Sequence, residues 1–152
     1  SENMLLIAKE KSKKYNYTDI QFIEGDAENL PFDDNSFDVL VISYGLRNLS
    51  DCNKGISEFR RVLKNDGQLG ILEFFEPKST IMAKIFKIYF NHILPSIASI
   101  FSNSKAYRYL PESVQNFTSP LKLKEDLQSV GFHNVKVKNM TFGVTTIINA
   151  QK

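Results

Sequence analysis

One cysteine, Cys52, stands among 152 residues, so an intramolecular disulfide framework is excluded and a reducing compartment is the default. Histidine is almost as scarce. His92 and His133 have no ligand partner at useful spacing, so both read as structural and no metal is expected. Net charge is nearly absent: 19 basic against 17 acidic side chains leave +2. That is too little for nucleic-acid binding, and no block of like charges runs anywhere. The cluster Lys11, Lys13 and Lys14 reads as the solvated end of a helix. The chain also lacks internal repeats, low-complexity tracts and any Ser or Cys in a nucleophile setting. Its opening residues do not read as a secretory signal.

What is present is apolar and well patterned. Hydrophobic residues make up 42% of the chain, enough for a packed core. Helical spacing of Met4, Leu5 and Ala8 predicts a helix over about Glu2–Tyr15, with Ser1 as its N-cap. A chain that opens on a helix cap reads as a piece of something longer. Ile20–Gly25 reads as a short strand, 27–36 as a loop around Pro31, and Phe37–Ser43 as a strand buried on both faces.

Asp51–Leu63 has the period of a helix with Asp51 as its cap, and Asn65-Asp66-Gly67 closes it with turn chemistry. Leu69–Phe74 is the next buried strand. Residues 79–101 form a long apolar helical region interrupted at Pro95. Lys84, Lys87, Asn91 and His92 also interrupt it, so it does not suit a bilayer span. Core packing, a lipophilic substrate wall and membrane-surface contact all remain open for it. Leu121–Val130 is a helix stopped by Gly131, and Val135–Thr141 with Val144–Ala150 form a hairpin near Gly143. Strands alternating with helices indicate an α/β sheet, here closed by an antiparallel hairpin.

In such sheets ligands bind beyond the carboxyl ends of the strands. Three of those ends are polar: Glu24-Gly25-Asp26-Ala27, Ser43-Tyr44-Gly45-Leu46-Arg47-Asn48 and Glu73-Phe74-Phe75-Glu76-Pro77. A Gly-Asp after a strand is more often a turn than a ligand site. An Arg in a loop at a strand's carboxyl end must be solvated, paired or bound to a ligand, so Arg47 is the more suggestive residue.

These residues carry a resemblance. The run Gly25-Asp26-Ala27-Glu28-Asn29-Leu30-Pro31-Phe32, then Asn35-Ser36-Phe37-Asp38, then Ser43-Tyr44-Gly45-Leu46-Arg47-Asn48, is similar to the central block of the ubiquinone/menaquinone biosynthesis C-methyltransferases. Arg61–Gly67 with Leu72-Glu73-Phe74 resembles the family's second signature, with Asn65-Asp66-Gly67 in place of Pro-Gly-Gly and Phe75 in place of Ser. Tyr107-Arg108-Tyr109-Leu110-Pro111-Glu112-Ser113-Val114 resembles a third block, Tyr-Arg-Tyr-Leu-Ala-Glu-Ser-Ile. The first stretch is common among class I methyltransferases; the Gly-Leu-Arg-Asn and Tyr-Arg-Tyr-Leu blocks are far more specific.

The resemblance implies an α/β, Rossmann-like class I methyltransferase sheet of strand order 3-2-1-4-5-7-6 with a C-terminal antiparallel hairpin. The glycine-rich motif and the ribose-binding acid have no counterpart, which implies a sheet truncated at the N-terminus with its first two strands absent, and one partial domain over 1–152. S-adenosyl-L-methionine would be the cofactor, with Asp26 and Ala27 at the adenine and Ser43 near the methionine part. Arg47 and Asn48 would act on the quinol, and Tyr107, Arg108 and Tyr109 would help form the substrate wall. A lipophilic quinol as substrate, peripheral contact with the inner membrane from the cytoplasm or mitochondrial matrix, and a homo-oligomer or quinone-synthesis complex are implied as well; nucleic acid is not. Another small-molecule methyltransferase, or an inactive fragment serving as a partner subunit, are the competing readings.

Overall fold

The computed structural model describes residues 2–77, 80–89 and 111–152. Its elements in chain order are α1 (Glu2–Lys14), β1 (Phe37–Ser43), α2 (Cys52–Val62), β2 (Leu63–Phe74), α3 (Thr80–Ile88), α4 (Pro120–Ser129), β3 (His133–Met140) and β4 (Thr145–Gln151). A 3-10 turn covers Leu46–Asn48, and residues 111–115 are helical.

The four strands form one sheet in the order β1-β2-β4-β3. β1 runs parallel to β2, with Val41 opposite Gly70 and Ser43 opposite Leu72. β4 is antiparallel to both β2 and β3. This is the 4-5-7-6 half of the order implied by the resemblance, with the hairpin in its expected place. Alternate residues of the strands face one core. Leu69, Ile71, Ile148 and Ala150 from the sheet pack with Ile56 and Phe59 of α2 and Leu123 and Leu127 of α4. Ile56, Leu123, Leu127 and Ile148 are fully buried, and each such side chain contributes about 1.5–3 kcal/mol.

Local chemistry explains the helix ends. Asp51 caps α2 by accepting from the Lys54 N–H at 3.0 Å, and Ser119 caps α4 by accepting from Lys122 N–H at 3.2 Å, with Pro120 starting that helix. On α2, Gly55, Ile56, Phe59 and Val62 form the buried face. α1 is mostly exposed, with Met4 and Ile7 open to solvent and Leu5 and Ala8 half-buried. Its expected cap, Ser1, lies outside the described residues.

Three expectations need correction. The strand expected over Ile20–Gly25 does not form; the segment pairs with no strand, and Ile20 and Ile23 are both 48% exposed. A strand exists only through its neighbours' hydrogen bonds, and no described strand lies beside this one. β1 is accordingly an edge strand among the described residues, and the burial on both faces that its apolar run predicts does not hold: without a neighbour on that side, Val39 and Val41 are exposed. The third correction concerns α2 and β2. The turn at Asn65-Asp66-Gly67 does not separate them: β2 begins at Leu63, directly after the helix, and the turn sits inside it as a bulge. Phe37 pairs with Leu63 but Val39 pairs with Gln68, and Asp66 takes a left-handed φ of 64° to absorb the extra residues. Of the apolar region 79–101, α3 and Tyr89 are described; Pro95, His92 and the rest lie outside the described residues.

Candidate active site

The carboxyl ends of β1 and β2 bring two of the three polar strand ends together. β1 stops at Ser43, and Tyr44 turns the chain with a left-handed φ of 55°. That conformation is uncommon for a bulky residue and is held from both sides. Tyr44 N–H donates to Leu72 O at 2.8 Å, and its ring stacks on Phe74 at 4.4 Å. The chain then enters the 3-10 turn, anchored in the core by Leu46.

Arg47 emerges from this turn but does not hang in solvent. Its Nη1 donates to Glu73 Oε1 at 2.6 Å and to Tyr44 O at 2.8 Å, and its Nε donates to Ser113 Oγ at 3.2 Å. The guanidinium carbon lies 5.7 Å from the centre of the Phe74 ring. The Arg47 side chain is 8% exposed and that of Glu73 is 0% exposed. Nη2 is the guanidinium nitrogen without a partner among the described residues. Asn48 stands next to it, exposed, with Nδ2 donating to Tyr44 O at 3.3 Å. A cleft of about 430 Å³ opens here, lined by Arg47, Leu49, Cys52 and Ser113 among others.

The third polar end, Gly25-Asp26-Ala27, is fixed by a different set of contacts. Asp26 Oδ1 accepts from Glu28 N–H at 2.9 Å, an Asx turn. The N–H of Ala27 makes no hydrogen bond among the described residues. Glu28 Oε1 accepts from Ser50 N–H at 2.6 Å and Asp51 N–H at 3.0 Å, tying this loop to the start of α2. Further along, Arg61 grips the loop: Nη2 donates to Leu30 O at 3.0 Å, and Nη1 to Phe32 O at 2.7 Å and to Asp34. Glu58 holds Arg61 and also accepts from Leu30 N–H at 2.9 Å. The hydrogen bond from Arg61 is the main reason the Glu58 carboxyl sits below its usual range.

The expected site residues are therefore distributed as follows. Ser43, Arg47 and Asn48 lie at and just beyond the carboxyl end of β1, and Asp26 with Ala27 lies on the loop that Glu28 fastens to the start of α2. Tyr107, Arg108 and Tyr109 fall outside the described residues. Sequence reasoning placed Glu73, Glu28 and Arg61 in its motifs without giving them a role, and passed over Glu58. Glu73 had a signal: an acid inside the apolar run Leu69–Phe74 must be paired if the strand is buried. Cys52 is no nucleophile at neutral pH, because burial, and then Asp126, Asp51 and Glu73, push its thiol up to about 11. Among the described residues no cluster of acids, histidines and cysteine could hold a metal ion, and no helix is long and apolar enough to cross a membrane.

The model of the ubiE/COQ5 methyltransferase family matches residues 1–152. The chain belongs to that family. It is 39% identical over 148 residues to a demethylmenaquinone methyltransferase of Staphylococcus haemolyticus, covering 97% of this chain and 61% of the relative. It is 42% identical over 154 residues to the ubiquinone/menaquinone biosynthesis C-methyltransferase UbiE of Campylobacter jejuni, covering 100% of this chain and 63% of the relative. The chain thus spans a little over three fifths of these relatives. Its fold is that of a Haemonchus contortus phosphoethanolamine N-methyltransferase 2 solved in complex with S-adenosyl-L-methionine. There the TM-score is 0.71 at 17% identity, over 100% of this chain and 41% of the other. The Gly-Leu-Arg-Asn block that carried the resemblance is thus the block that forms the Arg47 turn.

Proposed function

We propose that this chain is part of a C-methyltransferase of polyprenyl quinone biosynthesis, which moves a methyl group from S-adenosyl-L-methionine to a ring carbon of a lipophilic benzoquinol or naphthoquinol. The observation that carries the reading is the Arg47 turn: the Gly-Leu-Arg-Asn block just beyond the carboxyl end of β1, with one guanidinium nitrogen left over among the described residues. Residues 1–152 would act as one partial domain of the complete protein.

The cofactor fits the residues present. Asp26 keeps Oδ2 free among the described residues and Ala27 keeps its N–H free, a paired acceptor and donor suited to an adenine edge. Ser43 would meet the methionine part. When bound, the cofactor supplies a methyl group on a sulfonium, ready for in-line displacement. The chain's own residues have to bring a quinol ring carbon into that line and favour its deprotonated hydroxyl; the hydroxyl proton goes to water, and the ring carbon that gains the methyl group gives up its own proton to restore the aromatic ring. A cation at Arg47 stabilises a phenolate oxygen, and the Asn48 amide orients the hydroxyl.

The greasy substrate tail favours work at a membrane surface, in the cytoplasm or the mitochondrial matrix. Exposed Ile81, Ile85 and Ile88 on one side of α3 support peripheral contact. The apolar edge of β1 favours association with another chain.

The test uses the complete protein with methyl-labelled S-adenosyl-L-methionine and short-tailed demethylated naphthoquinol or benzoquinol. Carbon-bound label in the ring is the expected product. Oxygen-bound label, or none with either quinol, would overturn the reading.

A further inference from the structure

We propose that Glu73 is the positioning residue for Arg47, and that its purpose is to aim Nη2 at the substrate rather than to stabilise the sheet. The inference rests on the proposed function and deepens it.

Glu73 is a fully buried acid in a strand of apolar residues. A buried carboxylate is costly to desolvate, and a well-packed apolar side chain of similar volume would serve the core as well or better. Stability alone therefore does not account for an acid at this position. The carboxylate's contacts do. Oε1 accepts from Arg47 Nη1 at 2.6 Å and from Phe74 N–H at 2.8 Å, and Oε2 accepts from Arg47 N–H at 3.2 Å. One carboxylate thus grips Arg47 at both ends, the backbone amide and the guanidinium. Because Glu73 sits on β2, its own position is fixed by ladders on either side, to β1 and β4.

The double grip removes the freedom that makes arginine a poor pointer. Arginine has a long, rotamer-rich side chain. Here the Glu73 oxygens fix its origin and its tip, Tyr44 O takes a second bond from Nη1, and Ser113 Oγ takes Nε. The Phe74 ring lies against the guanidinium, 5.7 Å from ring centre to carbon. Nη2 then has one place to be.

The experiment is a double-mutant cycle in the complete protein, with Glu73→Gln, Arg47→Ala and the double variant. The readouts are kcat and KM for a short-tailed demethylated naphthoquinol, the melting temperature, and the nuclear magnetic resonance signal of the Arg47 Nε–H. Arg47→Ala should lower kcat by about 10²–10⁴-fold. Glu73→Gln should lower kcat by about 10²-fold through misplacement, with KM nearly unchanged and the Arg47 Nε–H signal lost to fast exchange. The double variant should be no slower than Arg47→Ala alone. Effects that multiply, or a Glu73→Gln protein with normal kcat, would overturn the proposal. If Glu73→Gln does not fold, Glu73→Asp takes its place, keeping the charge with a shorter reach. It should be slower than wild type and silent on the Arg47→Ala background; multiplication there overturns the proposal equally. If Arg47→Ala keeps full activity, the placement of the site itself falls. If Arg47→Ala is slow and the Glu73 variants are not, only the role of Glu73 falls.

Discussion

Gly55 and Gly67 make a paired test of how this fold resists change. Both are buried, and neither has a left-handed φ, so adding a methyl group tests space and not backbone conformation. At Gly55, inside α2, alanine gains about 1 kcal/mol of helix propensity. The new Cβ would overlap Leu49 Cδ1, the tip of a half-buried side chain that can turn aside. Pushing it off its rotamer costs about 0.5–1.5 kcal/mol. The two terms nearly cancel, so Gly55→Ala should leave stability within about 1 kcal/mol of wild type.

At Gly67 the Cβ would lie 2.8 Å from Lys64 O and 3.3 Å from Asp38 O. These are backbone atoms of the bulge and of β1, and they cannot rotate away. Overpacking of this kind costs about 1–3 kcal/mol, against a smaller gain of about 0.5–1 kcal/mol from restricting the unfolded chain. Gly67→Ala should therefore lose about 1–2 kcal/mol. Urea unfolding decides it, with midpoints compared at an unchanged m-value. Equal stability of the two variants would refute the reasoning, because it would mean that what the methyl group meets does not matter. Gly55→Ala carries a second consequence. Leu49 follows directly on the Arg47 turn, so activity of the complete protein should fall more than stability does.

Three other outcomes follow from contacts described above. Arg61→Ala should release residues 30–34 from α2, seen as faster amide hydrogen exchange there with α4 unchanged. Because the Glu58 carboxyl is held below its usual range, its share of that restraint is present above the ordinary carboxylate pKa and is lost as pH falls through the depressed value; the protection of Leu30 N–H, taken relative to the intrinsic exchange rate at each pH, should fall on acidification in that window. Cys52, raised from 9.0 to about 11, keeps its proton in the folded state while the unfolded thiol ionises. Stability should therefore decline between about pH 9 and 11 in wild type, and less in Cys52→Ala. Ser119→Ala should cost about 1 kcal/mol by removing the cap of α4, measured by thermal unfolding.

Most of the helices and strands were legible because their signals are local, though the apolar run of β1 did not tell that the strand lies at an edge. Asp51 followed by a period of 3.6 marks α2, and the run Phe37–Ser43 marks β1. The strand expected at Ile20–Gly25 failed for the opposite reason. Its alternation is adequate, yet strand formation depends on a neighbour that propensity cannot supply. The Asn65-Asp66-Gly67 turn was legible as a turn but not as a bulge, since only pairing with Asp38's neighbours shows that β2 continues through it. At the site, motif resemblance pointed to Arg47 and Asn48. It did not reveal that a residue 26 positions away, Glu73, holds both the backbone amide and Nη1 of Arg47. That coupling is tertiary, and its one trace in the sequence is a charge where an apolar residue would be expected.

The position of β4 bears on how the sheet is assembled in time. It lies between β2 and β3, so those two strands share no ladder of their own. Each β2–β4 pair joins residues 71 to 83 positions apart, from Phe74 with Thr145 to Gln68 with Gln151. Closing loops of that length has to be paid before any hydrogen bond of the ladder is formed. The β3–β4 hairpin can form early and alone, but it remains a separate ribbon until it finds β2. Until then β2 shows a bare edge beside Leu69 and Ile71, and those are the moments when a newly made chain is most open to aggregation.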